Sequence, residues 1–133
     1  VRDMSCEEGP SIVHSNLLMY LDAANTKSYP GSGTVWSDLS GNGNHVTLYN
    51  APTFSNNVFT FNGTTQYART TNTLNLSAYN QITVAMNFKL NAYTALYILY
   101  ELSENYNSYT DTFVADANDA SNACFFGCNG RAL

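Results

Sequence analysis

Charge is scarce in this chain: Asp, Glu, Lys and Arg make up only 11% of its 133 residues. Cations are scarcer still, with five Lys and Arg against ten Asp and Glu, which gives a formal net charge of −5 and a pI of about 4.6. Without a basic patch there is little to neutralise phosphates, so no nucleic-acid partner is expected, nor an anionic membrane surface. Long apolar runs are missing too. None approaches the roughly 20 residues of a membrane-spanning helix, so no membrane insertion is expected. The opening residues, VRDMSCEEGP, begin without Met and lack the apolar centre of a signal peptide. The chain is therefore expected to be a processed product or a piece of something longer.

Cysteine is sparse and odd in number: Cys6, Cys124 and Cys128. Residues four apart in a flat strand lie about 13 Å from each other, too far for a disulfide. A turn at Gly127 would shorten that distance. One thiol must remain unpaired or bond another chain, and buried free thiols are the expected state. A zinc site is not expected, because there is no Cys-x-x-Cys pair and only His14 and His45 to help. Helical periodicity is also absent, since no long stretch repeats apolar residues at i, i+3 and i+4.

Apolar residues and amides are plentiful: 44% of the chain is hydrophobic, and there are 18 Asn. Asn belongs in turns, which suits a turn-rich β protein. An uncharged, hydrogen-bonding surface also suits neutral polyols such as sugars, or a crowded assembly. Residues 1–11 read as an N-terminal arm and 12–133 as one domain. Ile12–Val13 suggests a short edge strand, and Leu17–Leu21 a central strand. Ala23–Tyr29 suggests one helical turn, ended by Pro30-Gly31. Val46–Tyr49 is the next strand. Val58–Asn62 and Gln66–Thr70, joined by Gly63-Thr64-Thr65, read as a hairpin. Gln81–Asn91 alternates over eleven residues, with Ile82, Val84, Met86, Phe88 and Leu90 on one face, and predicts a half-buried antiparallel strand. Ala95–Leu102, Tyr109–Ala115 and Ala123–Cys128 complete an all-β chain of roughly eight to ten short strands.

The most distinctive stretch is Trp36–His45, WSDLSGNGNH, which can continue neither a strand nor a helix. Gly and Asn accept positive φ, while Asp and Ser bond back to nearby amides. It therefore predicts a self-bonded corner, with Trp36 and Leu39 anchored in the core. The same residues are candidate Ca²⁺ ligands: Asp38, Asn42 and Asn44 offer oxygens, with Asp22 a candidate to join them in space. Their role as turn formers is sufficient without a metal and is the preferred reading.

Leu17–Phe54, LLMYLDAANTKSYPGSGTVWSDLSGNGNHVTLYNAPTF, resembles the opening of concanavalin A-like (laminin G-like) jelly-roll domains, of the kind common in bacteriophage virion and bacterial surface proteins. Those domains share a strand ending Leu-Asp-Ala, a Ser-Tyr-Pro-Gly-Ser-Gly step and the Trp-x-Asp-Leu-Ser-Gly-Asn-Gly-Asn turn. Phe59–Tyr67, FTFNGTTQY, and Ile82–Leu90 resemble later strands of the family. The resemblance covers about Ser11 to Leu102. It implies an antiparallel β-sandwich of the concanavalin A-like jelly-roll type and a place on a virion or outside a cell. Such domains usually run longer than this chain, so the sandwich is expected to be incomplete after Leu133, or completed by neighbouring subunits in a homo-oligomer or lattice.

Three functions compete on these residues. A glycan-binding attachment module needs an aromatic platform with amides beside it, and Tyr106 and Tyr109 with Asn105 and Asn107 are the candidates. A purely structural virion part needs only neighbours to cover its edges. A glycosidase-related fragment needs paired carboxylates. Glu101 and Glu104 lack the intervening Asp of the family's hydrolytic signature and fall on opposite strand faces. Asp111–Asp119 faintly resembles a lectin metal loop, but Ala115 stands where the Asn ligand belongs. No serine elbow Gly-x-Ser-x-Gly occurs. The expected function is a non-enzymatic virion surface protein that contributes to host glycan attachment.

Overall fold

A computed structural model describes residues 12–91, 96–102, 112–116 and 125–128, and these are all-β, without a helix. The chain divides into two compact units, Val1–Asn80 and Gln81–Leu133.

The first unit holds five strands: β1 (Val35–Trp36), β2 (Val46–Tyr49), β3 (Thr53–Ser55), β4 (Val58–Thr60) and β5 (Tyr67–Thr70). They form an antiparallel sheet of order β1-β2-β5 and a separate β3-β4 hairpin. β2 begins at Val46, as the sequence predicts. It is pinned by period-two burial: Val46 and Leu48 are buried, whereas Thr47 and Tyr49 turn the other way. Beside the strands lies an aromatic cluster centred on Phe59. Its ring meets those of Tyr29, Trp36 and Phe54 at 4.7–5.0 Å between centroids. Each such edge or tilted pair adds about 0.5–1.5 kcal/mol beyond area burial. The Tyr29 hydroxyl donates to the Gly33 carbonyl, which satisfies the polar end of a ring that is otherwise buried. The Trp36 Nε1–H is buried with no acceptor among the described residues.

The expected hairpin of Val58–Asn62 with Gln66–Thr70 does not form. β4 pairs back to β3 through Asn56-Asn57, and β5 crosses to β2. Asn56 and Asn57 both hold positive φ, 51° and 62°, the backbone that a two-residue hairpin turn requires. The Gly63 loop does different work. Asn62 Oδ1 accepts the amides of Thr64, Thr65 and Gln66, folding the loop on itself and sending β5 elsewhere.

Two further expectations change. Leu17–Leu21 runs beside residues 37–40 without forming a strand. The Tyr20 amide donates to the Asp38 carboxylate instead of to a carbonyl, so a side chain takes the place of a ladder rung. Ile12 and Val13 are exposed and form no strand. Residues 23–29 do turn tightly, with the Ser28 and Tyr29 amides both donating to the Asn25 carbonyl.

The second unit contains β6 (Leu96–Glu101), β7 (Thr112–Asp116) and β8 (Phe125–Cys128) in one antiparallel sheet, order β6-β7-β8. The register slips between Ile98 and Tyr100, leaving Leu99 as an extra residue on β6. All three strands lie where the alternating pattern puts them. Gln81–Asn91 does not: it forms no strand, and Ile82, Val84, Met86 and Phe88 are 43–47% exposed. Alternation fixes which residues would share a face. A strand also needs a partner for its amides, and no ladder to this segment exists among the described residues.

Candidate functional site

The corner at Trp36–His45 is built around one carboxylate. Asp38 is 8% exposed, and both of its oxygens are engaged. Oδ1 accepts the amides of Tyr20, at 2.9 Å, and Ser40, at 2.8 Å. Oδ2 accepts the Ser40 hydroxyl, at 2.7 Å, and the Asn44 amide, at 2.9 Å. Burial alone would raise the Asp38 pKa. The bonds from Tyr20, Ser40 and Asn44 outweigh it and hold the pKa below the usual carboxylate value. The Asp38 amide in turn donates to His45 Nδ1.

Asn42 and Asn44 turn their amide nitrogens, not their oxygens, toward the neighbouring segment. Asn42 Nδ2 donates to the carbonyls of Leu17 and Leu18, and Asn44 Nδ2 donates to Leu18. The corner thus staples residues 17–20, which have no sheet of their own. Asp22 does not join it. Asp22 Oδ1 accepts the Ala24 amide, and Oδ2 accepts the Tyr20 hydroxyl, whose pKa is raised by burial, by the Asp22 charge and by that bond. Ser28, fully buried, ties the same segments from the other side. Its hydroxyl donates to the Ser37 carbonyl at 2.6 Å and accepts the Asp22 amide at 3.2 Å. A Ca²⁺ ion entering between Asp38, Asn42 and Asn44 would have to displace four bonds to the carboxylate and rotate two amides. The arrangement here works as a structural clasp.

The outward face of β2 and β5 has the opposite character. The register places Tyr49 opposite Tyr67 and Thr47 opposite Arg69, all four on the face away from Val46 and Leu48. The two tyrosine rings stack at 4.6 Å with 10° between planes. The Arg69 guanidinium lies 5.2 Å from the Tyr49 ring centre, and its Nη2 donates to the Tyr49 hydroxyl at 3.1 Å. Thr47 and Thr71 share a hydroxyl contact of 3.0 Å on the same side. Val35, opposite Thr47 on β1, is 49% exposed beside them.

Side-chain bonds hold the end of this face. Gln66 Nε2 donates to the carbonyls of Asn50 and Ala51, and its Oε1 accepts the Asn62 amide. Asn50 and Ala51 hold φ of 60° and 51°, a left-handed backbone costing roughly 1–2 kcal/mol at Ala. It persists because Gln66 grips both carbonyls. Tyrosines with hydroxyls and one cation can offer stacking and hydrogen bonds to a polyol.

The tyrosine and asparagine candidates of the sequence, Asn105, Tyr106, Asn107 and Tyr109, lie outside the described residues, as do residues 1–11, Cys6, Cys124, Glu104, Asp111 and Asp119. Glu101 ends β6, and Cys128 ends β8. Sequence reading missed Tyr49, Tyr67 and Arg69. The signal was present in the alternation of VTLY and YART, but only the β2–β5 register brings the two runs together. Comparison of the chain with protein-family models, curated proteins and solved structures finds no match in any of the three.

Proposed function

We propose that this chain is a non-enzymatic virion surface protein, a tail, fibre or capsid-decorating component, whose sandwich of the jelly-roll type presents a sheet face to host glycans. The observation that carries the glycan part is the outward face of β2 and β5, where stacked Tyr49 and Tyr67 stand among Thr47, Thr71 and Arg69. Aromatic faces cover the apolar side of a sugar ring, while hydroxyls and guanidinium read its oxygens. The virion setting is supported by the likeness of Leu17–Phe54 to concanavalin A-like domains of phage particles. Antiparallel sheets and the polar corner agree with that architecture.

A second reading is an assembly part with no glycan affinity. It is favoured by the alternate exposed side chains Ile82, Val84, Met86 and Phe88, which neighbouring subunits would cover. A glycan array probed with the full chain, alongside light scattering of the same sample, tests both. The attachment reading expects saccharides bound and recovered intact, on a particle larger than one chain. No bound saccharide, with assembly retained, would favour the second reading. Hydrolysed saccharide would contradict both.

A further inference from the structure

We infer that the outward face of β2 and β5 takes a saccharide bearing a carboxylate, and that Arg69 is the group that pairs with it. This rests on the glycan reading above and names the class of sugar. Arg69 is one of five cationic side chains in a chain of net charge −5. It is the only arginine among the described residues, and no carboxylate there bonds to it. It is held by a ring instead: Tyr49 carries the guanidinium at 5.2 Å and takes one of its five N–H donors through the hydroxyl. That contact fixes the side chain's direction and leaves the remaining N–H groups to an incoming ligand, so less rotamer freedom is lost on binding.

Charge complementarity selects the occupant. A planar guanidinium fork matches a carboxylate in two parallel bonds. The sugar ring of the same residue then meets the exposed edges of the stacked tyrosine pair and the Thr47 and Thr71 hydroxyls. The acidic surroundings discriminate as well. A polyanion carrying many sulfates or phosphates would be repelled by the chain's net charge, whereas a saccharide with one acid per binding residue needs only the single cation at Arg69. The strained Asn50-Ala51 turn, gripped by Gln66, keeps Tyr49 at a fixed strand end.

The test uses the full chain in calorimetric titrations with glucuronate- and sialate-terminated oligosaccharides, their carboxyl methyl esters, neutral oligosaccharides and a sulfated one. Binding of at least one acid form, weakened about tenfold or more in its methyl ester and by a similar factor in Arg69→Gln, is the expected result, since a charge-assisted pair is worth about that much. Tyr49→Phe, which removes the hydroxyl that holds Arg69, should weaken the acid form several-fold. Acid and ester bound equally, binding indifferent to Arg69→Gln, or binding of the sulfated saccharide alone would overturn the inference while leaving glycan contact standing. No saccharide bound at all would overturn both. The ester comparison needs no variant, so a poorly folding Arg69→Gln does not decide the matter.

Discussion

Two polar clusters in the first unit are made of different residues and do opposite things. At the corner, Asp38 faces inward and every oxygen is matched to a donor. On the β2–β5 face, Arg69 faces outward and donates one hydrogen bond to the Tyr49 hydroxyl. A saturated buried network fixes backbone and has no valence left for a ligand without being broken. An exposed cation on an aromatic seat keeps valence in reserve. The comparison teaches that the stretch richest in recognisable motif is not where binding is to be sought. The corner's density of Asp, Ser and Asn is accounted for by six backbone groups that need partners: the Leu17 and Leu18 carbonyls and the Tyr20, Ser40, Asn42 and Asn44 amides.

This contrast can be broken in order of expected effect. Asp38→Asn should destabilise the chain by about 3 kcal/mol at pH 7 in urea unfolding. An amide in the same place must turn its nitrogen toward at least one N–H donor and leaves that donor unsatisfied. Ser28→Ala should cost about 2 kcal/mol in the same measurement, because the Ser37 carbonyl and Asp22 amide both lose a buried partner. Arg69→Gln should cost only about 0.5 kcal/mol, the worth of an exposed cation–π contact, while removing affinity for a carboxylated sugar. Millimolar Ca²⁺ or a chelator should leave the melting temperature unchanged. A rise with Ca²⁺ that is lost in Asn42→Ala and Asn44→Ala would turn the clasp into a metal site.

Much of the first unit's local structure is legible in the sequence. Val46–Tyr49 is a strand because Val46 and Leu48 alternate with Thr47 and Tyr49, and the corner is a corner because Gly41 and Gly43 supply φ of 90° and 73° between side chains that bond locally. These are short-range determinants. Partner choice is not short-range. The Gln66–Thr70 run has the pattern of a hairpin arm, yet Asn56-Asn57 offers β4 a nearer partner and β5 goes to β2. Gln81–Asn91 shows the same limit more sharply. Its alternation is the cleanest in the chain, and it forms no strand, because periodicity specifies a face and says nothing of which edge will receive it. The Tyr49, Tyr67 and Arg69 face was hidden for the same reason: its members sit about 20 residues apart and meet only through register.

The pH dependence of the Asp38→Asn effect is the most direct test of the clasp. The folded pKa of Asp38 lies below the ordinary carboxylate value, so the carboxylate's contribution is fully present above the unfolded value near 4 and is lost as pH falls through the folded one. Urea unfolding of the parent chain and of Asp38→Asn, followed from pH 7 down to the acid limit, subtracts every other titrating group. The difference between them should be constant above about pH 5 and shrink below about pH 4, as the parent's carboxyl takes up a proton. A difference that stays level across the whole range, or that is near zero at pH 7, would contradict the account.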